Sequence, residues 1–425
     1  MKNKNTPIEK RNTIVLLLAG GVGSRLNILV QNRAKPAVPF AGIYRIIDFS
    51  LSNAMNSGLK QVGILTQYKP LSLMRHMGTG EAWDFTGRTR GVKILPPRTG
   101  FKDSDWYKGT ADAVRQNIDF ILSNSPSEVL ILSGDHIYEM DYDKMINFHR
   151  DKKADITIAM MEVDMDQIHQ FGTGITNEEG RIIEWEEKPE KPRTNLASMG
   201  VYVFDTDYLL ELLQGNREVD FGMHLIPAAI EEDNVYAFPF KGYWRDVGTV
   251  QAYWEANMDV LRSDSGISPQ KWAVRSNPEA EGRVSDWSPA RFESGCKITN
   301  SLISAGCRIE GEVENSVLSP GVVVKEGAVV KDSIIFNDTV IESGACVDLA
   351  IIDKRAVIGG RAVIGCGAEK DIPNRQYPKH LYTGITLIGQ KAKVPADTRI
   401  GRNCIVQSEG RIEAGGVTIG SGETV

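Results

Sequence analysis

Residues 16–26 read Leu-Leu-Leu-Ala-Gly-Gly-Val-Gly-Ser-Arg-Leu, and they continue an apolar run that starts at Ile14. The run from Ile14 to Leu18 predicts a buried β-strand, which the glycines end in a loop whose backbone can approach a ligand closely. Because glycine has no Cβ atom, the N–H groups of such a loop can point at phosphate oxygens. The glycines that we expect to contact a phosphate-bearing ligand are Gly20, Gly21 and Gly23.

Two basic residues follow the glycines, and both are candidates for binding a triphosphate. Arg25 and Lys35 can supply the positive charge that such a ligand requires. The glycine spacing matches neither a Walker A loop nor the dinucleotide fingerprint G-x-G-x-x-G, so a plain tight turn followed by solvated cations is the competing interpretation. Lys35 lies in an otherwise apolar tract, which favours the functional interpretation.

The composition indicates the general class of protein. A length of 425 residues favours two domains, and 41% hydrophobic with 24% charged residues is typical of a soluble globular enzyme. A formal net charge of −6 argues against a dedicated nucleic-acid-binding protein. The polar N-terminal residues and the short apolar runs predict neither a signal peptide nor a membrane span, so we expect a cytoplasmic protein without a membrane partner. Five cysteines, all beyond residue 295, lack metal-ligand spacing and predict reduced, mostly buried thiols.

Residues 1–262 are predicted to form the first domain, because short apolar runs there alternate with helical patterns from residue 14 onwards. Such alternation predicts an α/β, Rossmann-like domain with a mostly parallel sheet. One helix is predicted to begin at Thr110 as its N-cap and to run to about Leu122, and a second to cover Phe49–Ser57. The predicted strands cover residues 14–18, 62–66, 129–132, 156–161, 201–204 and 235–238.

The rest of the chain predicts a linker and a second domain. Residues 263–291 are polar and rich in proline, which predicts a connector packed through Trp272 and Trp287. Residues 292–425 carry a hexapeptide repeat that predicts a left-handed parallel β-helix, with each repeated residue pointing inward and residues 368–391 interrupting the pattern. The repeated positions are Val322, Ala328, Ile334, Val340, Cys346, Ile352, Ile358 and Ile364.

The motifs together resemble those of bacterial ADP-glucose pyrophosphorylases (glucose-1-phosphate adenylyltransferases), and the resemblance covers nearly the whole chain. The resemblance implies that ATP and α-glucose 1-phosphate react with Mg²⁺ to give ADP-glucose, the glucosyl donor for glycogen synthesis, and pyrophosphate. It also implies a homotetramer, or a hetero-oligomer with a regulatory paralogue. The blocks that carry it are the glycine-rich loop, Ala34-Lys35-Pro36-Ala37, Tyr44–Phe49, Trp106–Asp112, Ser133–Tyr138, Glu187-Lys188-Pro189, Ala197–Gly200 and Tyr243–Thr249.

The resemblance assigns roles to individual residues. Asp135 and Asp246, each at a predicted strand end, are the expected Mg²⁺ ligands, although either aspartate could instead be a turn or cap residue. Arg25, Lys35 and Asp135 are the expected catalytic residues. The residues expected to bind ATP are Gly20, Gly21, Gly23, Arg25, Lys35, Gln67, Gly109 and Thr110, of which Gln67 would read the adenine edge. The residues expected to bind glucose 1-phosphate are Tyr107, Gly172, Glu187, Lys188 and Ser198.

Two further positions, His136 and Asn32, predict features of the site and of its regulation. His136 lacks a serine, cysteine or histidine partner nearby in sequence, so we expect it to support Asp135 rather than to act as a general base. Asn32 stands where enteric members carry a lysine linked to activation by a sugar phosphate. An amide lacks that charge, and we therefore expect fructose 1,6-bisphosphate to activate weakly or not at all.

Three alternatives compete with this function. A uridylyl-, thymidylyl- or guanylyltransferase would share the fold and differ in the base that it reads. A catalytically silent regulatory subunit should lack the charged residues, yet Arg25, Lys35, Asp135, Lys188 and Asp246 are all present. Hexapeptide acyltransferases usually require a histidine on the β-helix as general base, and His380 is the sole histidine after residue 224.

Overall fold

The central strand of the first domain, β1, is formed by the apolar run beside the glycine-rich loop. The computed structural model describes residues 12–98, 106–215, 217–278 and 287–425. The strands of the large sheet are β1 (Thr13–Leu18), β4 (Gln61–Leu65), β5 (Gly91–Leu95), β6 (Glu128–Ser133), β8 (Ile156–Glu162), β9 (Gly172–Thr176), β10 (Ile182–Glu187), β11 (Leu196–Asp205) and β12 (Val235–Pro239). Two small two-stranded sheets pair β2 (Pro39–Phe40) with β3 (Tyr44–Arg45), and β7 (His136–Tyr138) with β13 (Trp244–Asp246).

The large sheet is mixed, with a parallel centre. Strands β5, β4, β1 and β6 are parallel neighbours in that order, while β11 continues the sheet antiparallel to β6 and leads to β8 and β9. Residues 14–17 of β1 are fully buried, and they alternate between two hydrophobic clusters on opposite faces of the sheet. Burial on both faces explains why this strand is apolar throughout rather than at alternate positions.

Helices cover both faces of the sheet. The helices are α1 (Ile46–Asn56), α2 (Pro70–Met77), α3 (Thr110–Arg115), α4 (Ile118–Asn124), α5 (Tyr142–Lys152), α6 (Thr206–Gly215), α7 (Ile226–Glu232) and α8 (Val250–Asp259). Shorter helical turns cover Ser24–Val30, Lys35–Ala37, Glu81–Trp83, Ile168–Gln170 and Phe221–Leu225. In the part of the chain that the structure describes, no helix is long and apolar enough to cross a membrane.

The predicted single helix from Thr110 to Leu122 is wrong in two respects. It is divided into α3 and α4 at Gln116 and Asn117, and Leu122 is exposed. Thr110 is the first helical residue rather than the N-cap, because its hydroxyl donates to Asp220 and accepts from the N–H of Phe221. A tertiary partner has therefore replaced the local capping bond.

The second domain is a three-sided stack of short parallel strands, as expected for a left-handed β-helix. The first side contains β14 (Arg291–Phe292), β17 (Arg308–Ile309), β20 (Val323–Val324), β23 (Val340–Ile341), β26 (Val357–Ile358) and β29 (Lys393–Val394). The second contains β15 (Lys297–Thr299), β18 (Glu312–Glu314), β21 (Val329–Lys331), β24 (Cys346–Asp348), β27 (Val363–Ile364), β30 (Arg399–Ile400) and β32 (Thr418–Ile419). The third contains β16 (Leu302–Ile303), β19 (Val317–Leu318), β22 (Ile334–Ile335), β25 (Ala350–Ile352), β28 (Thr386–Ile388) and β31 (Ile405–Val406).

The strict period of six fails in the middle of this stack. Successive strands pair residues 17 apart, so one corner in each coil is a residue short of three full hexads. As a result Val340 and Cys346 are only half-buried, and their neighbours Ile341 and Val347 point inward. Residues beyond Ile364 form an insertion, after which β28 resumes the third side by pairing with β25.

The two domains share a hydrophobic cluster. Phe40 and Tyr253 of the first domain pack in the same buried cluster as Val317, Ile334 and Phe336 of the β-helix. The predicted linker contributes Trp272, whose indole N–H donates to Asn53, whereas residues 279–286 of that linker lie outside the described residues. All five cysteines are free thiols, of which Cys307 and Cys404 are buried.

Candidate active site

The glycine-rich loop begins directly after β1 and reaches the side chain of Lys35. Gly23 has a φ of 64°, a left-handed conformation that favours glycine, and a Cβ there would lie 3.0 Å from Lys35 Cβ. Gly21 has open space where its Cβ would be, and a Cβ on Gly20 would lie 3.5 Å from Gln67. Gly23 is therefore the glycine whose absence would most directly disturb Lys35.

A cavity of about 570 Å³ opens at the carboxyl ends of β1 and β4. This volume lies within the range of small-molecule binding sites. All eight residues expected to bind ATP line it, namely Gly20, Gly21, Gly23, Arg25, Lys35, Gln67, Gly109 and Thr110. The topology explains the convergence, because the ends of parallel neighbouring strands meet at one edge of the sheet.

Gln67 connects two walls of this cavity. Its Oε1 accepts from the N–H of Tyr107 at 2.7 Å, and its Nε2 donates to Gly20 O at 3.4 Å. A primary amide has two N–H bonds and two acceptor lone pairs, so one of each is left for a ligand. Gln67 can thus orient the loop and still offer a donor and an acceptor to a base edge.

Lys35 lies between two carboxylates that come from distant parts of the chain. Its Nζ is 2.8 Å from Asp135 Oδ2 and 3.0 Å from Asp246 Oδ1, and its side chain is 5% exposed. Asp135 lies between β6 and β7, and Asp246 ends β13. The antiparallel pairing of β13 with β7 sets Asp246 opposite His136, so backbone register brings the two aspartates together.

Electrostatic attraction keeps Lys35 and Asp135 in their charged forms. Burial disfavours the charged form of Lys35, but the charges of Asp135 and Asp246 outweigh that penalty and raise its pKa. Burial likewise opposes ionisation of Asp135, but the Lys35 ammonium dominates and lowers the pKa of that carboxyl well below its usual range. The Ser133 hydroxyl also donates to Asp135. The Lys35 ammonium and the Asp135 carboxylate therefore stabilise each other's charged form.

The two carboxylates fit a divalent cation. They already converge on a positive charge, and oxygen ligands of this kind are those that Mg²⁺ prefers. Ligand atoms of Asp135, His136 and Asp246 lie within 4.8 Å of one another. His136 Nε2 is 3.5 Å from Asp135 Oδ1, and its Nδ1 lies 3.2 Å from Met199 O. His136 therefore lies beside the Asp135 carboxylate, in a position to support it.

A second cavity, of about 490 Å³, adjoins the first. The predicted sugar-phosphate residues Gly172, Glu187, Lys188 and Ser198 line it. Tyr107 does not: it lines the first cavity, and its hydroxyl donates to Leu95 O at 2.9 Å. Both cavities share the residues Leu18, Arg25, Thr110, Ser133, Asp135 and Asp220. Asp135 thus stands at the boundary between the two.

Gly172 lines the second cavity, and the place that a side chain there would take is already filled. A Cβ there would lie 2.5 Å from both Glu187 Oε2 and the Trp185 ring. A Cβ on Gly222 would likewise lie 2.6 Å from Glu187 Oε2. The Glu187 carboxylate occupies the space that side chains at these two positions would take. Glycine at both positions therefore allows Glu187 to lie there.

The Glu187 carboxylate is partly sequestered. Burial raises its pKa, the Lys188 ammonium opposes that effect, and the charge of Asp220 adds to it. Lys188 Nζ lies 3.6 Å from Glu187 Oε1 and remains 57% exposed, so it can move to a ligand. A carboxylate and a mobile ammonium side by side suit hydroxyl and phosphate groups respectively.

Asp220 is a further residue of the site, and it lies outside every sequence motif described above. It lines both cavities, caps the helical turn at Met223 and accepts from the Thr110 hydroxyl. An aspartate before an apolar turn has no distinguishing pattern, and only the tertiary fold brings it beside Thr110. Further lining residues outside the predicted site include Ser133, Tyr202 and Gly248.

The chain was also compared with known proteins. The family model described as "Nucleotidyl transferase" matches residues 14–263, and one described as "GlmU-like, C-terminal hexapeptide" matches residues 288–388. The glucose-1-phosphate adenylyltransferase of Thermotoga maritima is 48% identical over 405 residues, which cover 93% of this chain and 94% of that protein. The proteins of the same name from Clostridium beijerinckii and Bacillus cereus are each 48% identical, over 74% and 75% of this chain and 82% and 85% of their own lengths.

Proposed function

The chain belongs to the glucose-1-phosphate adenylyltransferase family, and from this premise we propose that it transfers the adenylyl group of ATP to α-glucose 1-phosphate. The products are ADP-glucose and pyrophosphate. One observation carries the proposal: a cavity lined by the expected ATP residues and one lined by most of the expected sugar-phosphate residues meet at Asp135.

The reaction exchanges one phosphoanhydride bond for another. A phosphate oxygen of glucose 1-phosphate bonds to the α-phosphorus of ATP, and the bond from that phosphorus to the bridging oxygen of pyrophosphate breaks. Pyrophosphate leaves with the electron pair. Two anions must approach each other, so charge neutralisation and alignment are the main requirements on the protein.

Lys35 and Arg25 meet the charge requirement. The buried Lys35 ammonium lines the first cavity beside Asp135, where it stabilises charge on the α-phosphate and the departing pyrophosphate. Arg25 lines both cavities, and its guanidinium lies 4.0 Å from Asp246. Asp135 and Asp246 would hold Mg²⁺, which when bound neutralises phosphate charge.

The second cavity orients the sugar phosphate. Lys188 binds its phosphate as a point charge, and the Glu187 carboxylate accepts from sugar hydroxyls. Ser198 and Gly172 line the same wall. Tyr107 instead lines the first cavity, where its N–H donates to Gln67 and its hydroxyl donates to Leu95 O.

Gln67, together with backbone groups at Gly109 and Thr110, selects adenine. Its remaining donor and acceptor match the paired donor and acceptor of an adenine edge. We propose that the enzyme acts in the cytoplasm as a homotetramer, or beside a regulatory paralogue, in the synthesis of glycogen.

Pyrophosphate release tests the proposal. Purified protein with Mg²⁺ and glucose 1-phosphate is given ATP, UTP, dTTP or GTP in parallel. Release with ATP at a rate well above the other three supports the adenylyltransferase. Preference for another nucleotide would refute the base assignment, and no release with any of the four would refute catalysis by this chain.

A further inference from the structure

The two cations proposed to act on the phosphates of ATP, Arg25 and Lys35, lie on one irregular segment, residues 24–37. It consists of two short helical turns, Ser24–Val30 and Lys35–Ala37, with a kink at Asn27 (φ 52°, ψ −124°). Short turns of this type contribute few hydrogen bonds of their own. Contacts with the rest of the molecule must therefore determine where this segment, and Lys35 within it, lies.

Arg33 supplies such a contact, and it crosses from the first domain to the β-helix. Its Nη2 donates to Asp353 Oδ1 at 2.8 Å, and the two side chains are 5% and 1% exposed. Its Nη1 donates to Leu29 O at 3.4 Å, within the same segment, and its guanidinium lies 6.0 Å from the centre of the Phe336 ring. A buried charge pair of this kind holds its geometry firmly, because separating the charges leaves both without compensation.

Asp353 offers a rigid anchor. Its N–H donates to Ile388 O at 2.8 Å, which ties it to the strand ladder of the β-helix. Its Oδ1 also accepts from the N–H of Lys354 at 2.7 Å, whereas its Oδ2 has no hydrogen-bond partner among the described residues. Among the described residues, Arg33 is the side chain that pairs with the Asp353 carboxylate. Asp353 is in turn held by the regular strand stack of the β-helix.

The chain between Arg33 and Lys35 is short and stiff. Ala34 is extended, and Pro36 restricts the backbone directly after Lys35. The N–H of Ala37 donates to Ala34 O at 2.9 Å, which closes the turn around Lys35. A shift at Arg33 should therefore move Lys35 as well, because Ala34 and the turn around Lys35 have little freedom to compensate for it.

We propose that the Arg33–Asp353 ion pair is a positioning pair, through which the β-helix sets Lys35 for adenylyl transfer. The inference rests on the proposed function of Lys35. The competing role is simple adhesion between the domains, which would affect stability and leave the turnover of folded enzyme unchanged.

Kinetics of Arg33→Gln and Asp353→Asn test the pair. Each is expected to lower kcat by about tenfold to a hundredfold, since small misplacements of aligned groups are costly. The KM for glucose 1-phosphate should change little, because the residues proposed to bind it, Glu187, Lys188 and Ser198, lie on other elements. Turnover is expressed per folded, active molecule, with the folded fraction taken from circular dichroism and gel filtration.

A cycle with Lys35→Ala separates positioning from adhesion. If Arg33 acts through Lys35, Arg33→Gln should reduce kcat by less than about twofold in the Lys35→Ala background. If Arg33 acts by adhesion alone, Arg33→Gln should leave the kcat of the folded enzyme unchanged in both backgrounds. Equal factors would overturn the positioning role.

Arg402→Gln is the matched control. Arg402 is 8% exposed and pairs at 2.5 Å with Asp348, which is 33% exposed, so it forms a partly buried ion pair entirely within the β-helix. We expect its thermal unfolding midpoint to fall and its kcat to stay within about twofold of wild type.

Two safeguards keep the test decisive. Should the single variants fail to fold, the apolar pair Arg33→Met with Asp353→Leu replaces both charges, and wild-type kcat in that folded variant would overturn the inference. An inactive wild type would refute the proposed function itself. An active wild type with unchanged kcat in Arg33→Gln would overturn the positioning role alone.

Discussion

At the scale of single residues, the site depends on side chains that hold one another in charged states. Lys35 is buried, and it stays protonated because Asp135 and Asp246 lie within 3.0 Å of its ammonium. Gly172 and Gly222 also affect a neighbouring residue, because their lack of side chains leaves the space that Glu187 occupies. The roles of neighbouring residues are therefore coupled, and a change in one should be read at another.

Gly172→Ala tests this coupling on the sugar side. The new Cβ would lie 2.5 Å from Glu187 Oε2, so the carboxylate must move. We expect the KM for glucose 1-phosphate to rise by about tenfold or more, from the loss of charge-assisted hydrogen bonds, with little change in the KM for ATP. Steady-state kinetics measures both, and Gly215→Ala, where nothing lies within 4 Å of the new Cβ, is the control. An unchanged KM for the sugar phosphate would contradict the role given to Glu187.

Asn32 carries the prediction about activation. Its amide donates to Gln390 Oε1 at 3.2 Å, across the junction with the β-helix, and adds no charge there. We expect fructose 1,6-bisphosphate to activate by less than about tenfold, because an amide cannot replace an ammonium in binding phosphate. Initial rates with and without the bisphosphate measure this, with Asn32→Lys as the gain-of-charge comparison. A wild-type rate increase of an order of magnitude would refute it.

At the scale of elements, local patterns were most informative where burial alone decides the structure. The apolar run at Ile14 predicted β1, because a strand covered on both faces needs no alternation. The helix at Thr110 was mispredicted, since Asp220, 110 residues away, takes the hydroxyl that would otherwise cap it. Likewise the hexad positions Val340 and Cys346 are half-buried, because coils of 17 residues shift the inward side by one position.

Helix α5 carries a prediction about pH and stability. His149 is buried against Thr157 at 2.9 Å, and burial lowers its pKa from 6.5 to about 4. The unfolded chain therefore binds a proton more readily than the folded protein as the pH falls. The stabilisation is fully present above the unfolded pKa and is lost as the pH falls towards 4; by pH 5 the loss is about 2 kcal/mol.

Urea unfolding of wild type and His149→Gln at pH 7 and pH 5 measures this contribution. The wild type should lose about 2 kcal/mol more stability than the variant over that interval. His169→Gln, at an exposed position, should behave like wild type. Equal losses in wild type and His149→Gln would contradict the assignment.

At the scale of the whole molecule, the site is assembled by topology and then held by the second domain. The sequence motifs contain most of the residues that line the two cavities, and several of these motifs follow strand ends. They could not identify Asp220 or the Arg33–Asp353 pair, which exist only through contacts between distant segments. The domain boundaries at residues 262 and 292 stay predictions.

The assembly prediction also belongs to this scale. If the chain forms a homotetramer, light scattering should give a mass near four times 46.9 kDa. Sample concentrations well above and below the micromolar range would show whether the assembly dissociates. A single monomer peak at every concentration would refute this part of the proposal.

The central claim is that Asp135 stands where ATP and glucose 1-phosphate react, and ³¹P NMR tests it most directly. Wild-type protein with Mg²⁺, ATP and glucose 1-phosphate should form ADP-glucose and pyrophosphate in equal amounts. Asp135→Asn keeps the shape of the side chain and removes its charge, and we expect turnover at least about a hundredfold slower. Failure of the wild type to form ADP-glucose, or near-wild-type turnover in Asp135→Asn, would contradict the account.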